Sequence, residues 1–174
     1  MKKILAILIA LAFGKLGCTQ APAERPYVSS PAFDKKISET IHFTVPTIGV
    51  RELKNIQDEV HIFDAREWKE YEVSHIKGAH YLGYDNFDAA RLAGIPKDAK
   101  IVLYCSIGYR SEKIGEKLQK MGYSQVYNLY GSIFEWVNEG FPVVGIDEKP
   151  TQKIHTYNSK WSQWVDHEKV EKVW

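Results

Sequence analysis

Cys105, Gly108, Arg110 and Ser111 fall within one short stretch, CSIGYRS, at positions 105–111. Each residue type suits a part of the same chemistry. A cysteine thiolate is a nucleophile. Glycine lets the backbone turn where a side chain would resist it. Arginine adds a permanent positive charge with several donors. The flanking segments say where such a stretch would sit. KIVLYC (100–105) is an unbroken apolar run, as expected of a central strand buried on both faces. RSEKIGEKLQKMGY (110–123) places Ile114, Leu118 and Met121 at helical spacing and stops at Gly122, so a helix beginning near Arg110 or Ser111 is predicted. A sharp strand-to-helix turn points consecutive backbone N–H groups into one concavity, and the helix N-terminus adds its own. Cys105 then lies at the carboxyl end of a strand, where open parallel sheets bind ligands. The cup of Ser106, Ile107, Gly108, Tyr109 and Arg110 is electropositive and favours a thiolate at Cys105, while Ser111 caps the helix and reaches the sulfur.

The elements that must position this loop alternate along the chain. VHIFDA (60–65) reads as a strand ending in Asp64. REWKEYEVSHI (66–76) carries Trp68, Tyr71 and Val73 at helical spacing, and GAHYLGY (78–84) suits a short strand. DNFDAARLAG (85–94) opens on a capping Asp85 and closes on Gly94, predicting a helix. SQVYNLY reads as a further strand, and GSIFEWVNEGFPV (131–143) as a short helix stopped by Gly140 and Pro142. Strands and helices joined by short connections predict an α/β fold: a central, mostly parallel sheet with helices on both faces. The predicted domain runs from 34 to 144. Residues 19–33 read as a linker, and 145–174 as an aromatic-rich extension in which Trp161, Trp164 and Val165 could form one apolar stripe, either packing on the domain surface or meeting a membrane interface or a partner.

The net charge of +1 and the absence of like-charge runs argue against nucleic acid as a partner. His61, His80, His155 and His167 lack metal-ligand spacing with cysteines or carboxylates, so no metal is expected. The first eighteen residues, MKKILAILIALAFGKLGC, place two lysines before an apolar run from Ile4 to Phe13. That run is too short for a hydrocarbon core of about 30 Å and reads as a secretory signal peptide. Its ending, KLGC, resembles a bacterial lipoprotein signal, with Gly17 before the cut, although Lys15 stands where that pattern has an apolar residue. The resemblance implies lipid on Cys18 and an exported protein anchored in the cell envelope or periplasm. Cys105 would then be the one remaining thiol, in an oxidising compartment where a lone cysteine needs an explanation.

Three stretches together resemble a single rhodanese domain, the sulfurtransferase fold, over about residues 44–144. YCSIGYRS is similar to its active-site loop. DAREWKEYEVSHIKGAHYL is similar to a second signature, through Asp64, Arg66, Glu67, Tyr71, His75, Ile76, Gly78 and Ala79. VYNLYGSIFEWVNEGFPV is similar to the closing segment, through Leu129, Gly131, Trp136, Gly140, Pro142 and Val143. Ser74 and Ser132 depart from glycines of the pattern, and Lys77 from a frequent proline.

The resemblance implies that Cys105 takes a sulfane sulfur from a small anionic donor such as thiosulfate as a persulfide. It passes that sulfur to cyanide or a thiol, without any cofactor. Asp64 and Arg66 would order the loop from beneath, Arg110 would help bind the donor, and His75 would make a structural hydrogen bond. A phosphatase with a similar cup would place its arginine six positions after the cysteine; Arg110 is five after Cys105, a ring suited to one sulfur atom. A persulfide or redox carrier and a non-catalytic binding module are the other readings, and the intact Cys105 and Gly108 favour chemistry over the latter.

Overall fold

The computed structural model describes residues 24–166 and 168–174; the signal-like segment with Lys15 and Cys18, and also His167, lie outside the described residues. Its spine is the strand read from KIVLYC. This strand, β5 (Lys100–Tyr104), has Ile101, Val102, Leu103 and Tyr104 all without solvent exposure. It pairs in parallel with β2 (His61–Asp64) on one side and β6 (Gln125–Leu129) on the other. Two short strands, β1 (Thr47–Ile48) and β4 (His80–Tyr81), extend the sheet in the order β1-β6-β5-β2-β4, every pairing parallel.

The side-chain period of 2 splits this sheet between two cores. Ile62, Val102 and Tyr104 face one core with α1 (Pro31–Ser38), α2 (Val50–Asn55) and α5 (Ser132–Asn138). Phe63, Ile101 and Leu103 face the other, covered by Ile114 and Leu118 of α4 (Tyr109–Lys120). The expected α/β architecture with helices on both faces is therefore present.

Four local readings differ. The helix α1 starts at Pro31, inside the segment read as linker. Ser30 caps it by accepting from the Phe33 N–H, proline is preset for the first helical position, and Phe33 and Ile37 bury their side chains. The helix expected over 85–94 is only a single 3-10 turn, Ala89–Leu92, capped by Asp88 and not Asp85. Only Leu92 of that turn reaches the core, so there is no apolar stripe to hold a longer helix. In α3 (Trp68–Val73) the inward residues are Glu70 and Tyr71, whereas Trp68 is about half exposed. The extension does more than pack on the surface. Residues Pro150–Thr151 (β8) join a small antiparallel sheet with β3 (His75–Ile76) and β7 (Val143–Val144). Lys153–His155 (β9) pair in parallel with Glu171–Val173 (β10), and Trp164 stacks on Phe33 at 5.5 Å between ring centroids.

Where β2 ends, Asp64 and Arg66 form an ion pair with no solvent exposure. The Arg66 Nη2 donates to Asp64 Oδ2 at 2.6 Å and to the Ser74 carbonyl at 2.6 Å, tying the strand end to the end of α3. Beside it the Ala65 N–H donates to the Tyr104 carbonyl at 2.8 Å, one residue before the nucleophile candidate. Removing one partner of such a pair leaves an uncompensated buried charge. Asp64→Ala is therefore expected to lower stability by about 3–5 kcal/mol. Urea unfolding measures this; a loss below about 1 kcal/mol would remove the pair from the list of structural determinants.

Candidate functional site

The loop from Cys105 to Gly108 links β5 to α4, and its backbone is held from outside. The Cys105 and Ser106 carbonyls accept from the N–H groups of Ile133 and Phe134, at the start of α5. The Gly108 carbonyl accepts from the Glu112 N–H, from Asn128 Nδ2 at 2.9 Å and from Ser111 Oγ at 3.2 Å. With these carbonyls turned outward, the amides are left to the inside of the turn. Among the described residues, no protein acceptor takes the N–H groups of Ser106, Ile107, Tyr109 or Arg110. The Gly108 N–H donates to Cys105 Sγ at 3.2 Å. Gly108 has φ of +126°, and a β-carbon there would lie 3.3 Å from Ile41 and 3.5 Å from Asn128, so only glycine fits both the turn and the space.

The helix α4 begins at Tyr109 with Gly108 at its cap, one or two residues before the expected start. Ser111 is therefore inside the first turn and is not the cap. Its single hydroxyl proton is shared between Asn128 Oδ1 at 2.7 Å and the Gly108 carbonyl at 3.2 Å, and the oxygen lies beside the sulfur. Cys105 is buried. Burial pushes its thiol up, but the Arg110 charge, the Ser111 hydroxyl and the Ser111 and Gly108 amides outweigh it, so the thiol falls below its ordinary value.

Arg110 does not stand free. Its Nη1 donates to Glu70 Oε2 at 2.6 Å and its Nη2 to Glu70 Oε1 at 2.8 Å, with a further bond to Ser106 Oγ at 3.0 Å. Glu70 is fully buried and also accepts from the Glu67 N–H at 3.0 Å. Burial pushes the Glu70 carboxyl up, and Arg110, aided by Arg66 and the Glu67 amide, brings it down to about 2. Glu70 thus stays ionised wherever the thiol titrates. The charge assigned to a donor anion is shared with this carboxylate, because a nearly buried guanidinium needs a partner.

Sequence reasoning passed over Glu70, Asn128 and Ser132. The Ser132 Oγ accepts from the Cys105 N–H at 3.2 Å and donates to the Leu129 carbonyl at 3.0 Å, with φ of +52° at Ser132 itself. A serine in place of an expected glycine was the available signal for Ser132. Asn128 was visible as a polar residue in an otherwise apolar strand. Glu70 had no signal beyond its adjacency to Tyr71.

The other expected residues fall into place around this loop. Asp64 and Arg66 lie beneath it without touching the sulfur. His75 is stacked on Tyr71 at 4.0 Å, with its ring nitrogens 3.1 Å from the Tyr71 carbonyl and 3.1 Å from Glu148, away from the cup. Above the loop opens a cleft of about 520 Å³, whose lining includes Cys105, Ser106, Ile107, Tyr109 and Arg110.

The family model for the rhodanese-like domain matches residues 50–139. A sulfurtransferase from Allochromatium vinosum is 43% identical over 54 residues, covering 31% of this chain and 50% of that protein. A tRNA uridine(34) hydroxylase from Bdellovibrio bacteriovorus is 35% identical over 102 residues, covering 56% of this chain and 29% of that protein. The chain thus spans half or less of the length of these relatives. Among solved structures, a rhodanese-like domain from Anabaena superposes with a TM-score of 0.54 at 23% identity, over 60% of this chain and 82% of that one. A thiosulfate sulfurtransferase from Pseudomonas aeruginosa does so with a TM-score of 0.52 at 22% identity, over 58% of this chain and 20% of that one. At these identities the structural likeness speaks to fold.

Removal of the Arg110 charge tests the electrostatics directly. Arg110→Ala is expected to raise the Cys105 pKa. The pH profile of iodoacetamide alkylation, followed by intact mass, reads it. An unmoved midpoint would show that the loop amides alone set the thiol.

Proposed function

We propose, from the premise that this chain belongs to the rhodanese-like domain family, that it is a sulfurtransferase carrying a sulfane sulfur on Cys105. One observation carries the reading: Cys105 sits under a turn whose Gly108 N–H donates to Sγ and whose Ser106, Ile107, Tyr109 and Arg110 N–H groups have no protein acceptor among the described residues, and its thiol is pushed below the ordinary value. That arrangement stabilises negative charge on an atom attached to Sγ, which is where a persulfide holds it. The names of sulfurtransferase relatives point the same way.

In the donor half-reaction the Cys105 thiolate attacks the outer sulfur of thiosulfate. A bond forms from Sγ to that sulfur, the sulfur–sulfur bond of the donor breaks, and sulfite departs with the electron pair. Sulfite is a stable anion and needs no proton from a general acid. The terminal sulfur of the persulfide then lies in the ring of amides from Ser106 to Arg110. In the second half-reaction an acceptor attacks that sulfur and Sγ recovers the electron pair. One covalent intermediate shared by two half-reactions gives ping-pong kinetics. Arg110 keeps the potential positive around the sulfur while Glu70 fixes where its charge sits. The four residues between Cys105 and Arg110 make a ring that suits one sulfur atom better than a tetrahedral phosphate.

The reading extends to cellular placement. The basic start, the apolar run Ile4–Phe13 and the KLGC ending support export with lipid on Cys18.

Two experiments test these points. Protein treated with thiosulfate is expected to gain the mass of one sulfur atom and to release thiocyanate when cyanide is added, with neither outcome for Cys105→Ala. Folded, reduced protein that does neither would remove thiosulfate as the donor. Palmitate fed to cells is expected to label the wild type and not Cys18→Ala; no label on the wild type would leave plain secretion.

A further inference from the structure

Sulfur transfer from thiosulfate to cyanide accounts for the floor of the cleft over Cys105 and leaves its far wall unused. The family match ends at residue 139, yet Tyr157 and Trp161 from the extension line the same cleft as Cys105. They are fastened there. The extension is tied to the body through Ile154 of β9 and the following Thr156, both without exposure, and through Trp164 stacked on Phe33. Between these anchors Tyr157 takes a positive φ of 66°, a conformation that a non-glycine residue adopts only when its surroundings impose it. Its N–H donates to His155 Nδ1 at 3.0 Å, and the Arg110 guanidinium lies 5.5 Å from its ring centroid. The Trp161 N–H donates to Asn158 Oδ1 at 3.1 Å. Tyr157 is half exposed, so its ring is held in a strained turn without filling the core.

The cleft has the dimensions and lining of a site for an organic molecule. Its volume of about 520 Å³ falls within the ~300–1,000 Å³ of pockets that take such ligands. Cyanide or thiosulfate would occupy only the part next to Cys105. Tyr84 and Tyr109 join Tyr157 and Trp161, giving aromatic faces that suit peptide planes and short apolar stems. The rim carries both signs of charge: Lys69 on one hand, Glu67 and Asp85 on the other. That combination matches a molecule bearing both carboxylate and ammonium groups.

We propose that Tyr157 and Trp161 are specificity-determining residues that seat the body of a small zwitterionic peptide thiol, the acceptor of the Cys105 sulfur. The proposal rests on the sulfurtransferase reading of this site. The acceptor thiol gives its proton to solvent, and its thiolate attacks the outer sulfur of the Cys105 persulfide. The new bond joins the acceptor sulfur to the transferred sulfur, the bond from Sγ breaks, and Sγ takes the electron pair. The products are the acceptor persulfide and the Cys105 thiolate, with no oxidant or reductant consumed. Contacts with the acceptor body raise its local concentration at the sulfur and leave the donor half-reaction unchanged.

The test compares two acceptors on the full chain with thiosulfate as donor: glutathione as the peptide thiol, and cyanide as an acceptor too small to touch the wall. Tyr157→Ala and Trp161→Ala are expected to raise the KM for glutathione by roughly tenfold each, about 1.4 kcal/mol. Thiocyanate formation with cyanide is expected to stay within about twofold of the wild type, and Tyr157→Phe, which keeps the ring, to behave as wild type. Thermal melting of each variant separates a local effect from unfolding. Equal losses with both acceptors, or no change with glutathione, would overturn the proposal while sulfur transfer stands. Wild-type protein that takes no sulfur from thiosulfate and passes none to either acceptor would remove thiosulfate as the donor, and the subsite proposal would fall with it.

Discussion

The ion pair between Arg110 and Glu70 is the contact around which the site is organised. A thiolate at the bottom of a cleft needs positive potential, and α4 supplies it from its first turn through Arg110. A guanidinium that is nearly buried needs a carboxylate, and α3 supplies one through Glu70. The pair therefore fixes the distance between α3 and the first turn of α4. It also sets the strength of the field. Shared with Glu70, the Arg110 charge still lowers the Cys105 thiol.

The amides face inward because other groups take the loop's carbonyls. The N-terminal N–H groups of α5 have no helical carbonyl to donate to and donate to the Cys105 and Ser106 carbonyls instead. Asn128 and Ser111 do the same for the Gly108 carbonyl. Residues distant in sequence thus determine which way each peptide unit of the loop points. The Ser132 hydroxyl adds a bond to the Cys105 N–H, so a position where the family pattern has glycine gains a contact to the nucleophile's own backbone. Preorganised donors of this kind need no rearrangement when charge arrives, which is where their advantage over water lies.

The extension changes the character of the cleft without touching the nucleophile. Strand β9 runs beside α3, and the turn after it sets an aromatic wall opposite the loop. The loop and the wall come from different parts of the chain: loop geometry depends on α4, α5 and β6, the wall on β9, β10 and Phe33, and they meet where Arg110 lies over the Tyr157 ring.

The sequence by itself determined the loop after the central strand, the alternation of strands and helices over the domain, and the rhodanese-like family. These are local properties: a continuous apolar run makes a buried strand, an i, i+4, i+7 stripe makes a helix, and a glycine and an arginine close after a cysteine make an anion cup. It read the first residues of α1 as linker and placed a full helix over 85–94, where caps and exposed alanines compete with no periodicity to arbitrate. Only the tertiary structure decided which charge neutralises Arg110, which side chains hold the loop carbonyls, and that Tyr157 and Trp161 face Cys105. Glu70 reads as an ordinary helical acid until α3 is packed against α4, and the aromatic extension reads as a surface tail until β9 pairs with β10. The physical reason is common to both. Burial, and the partners it demands, is a relation between segments far apart along the chain, and no window of sequence contains both halves of it.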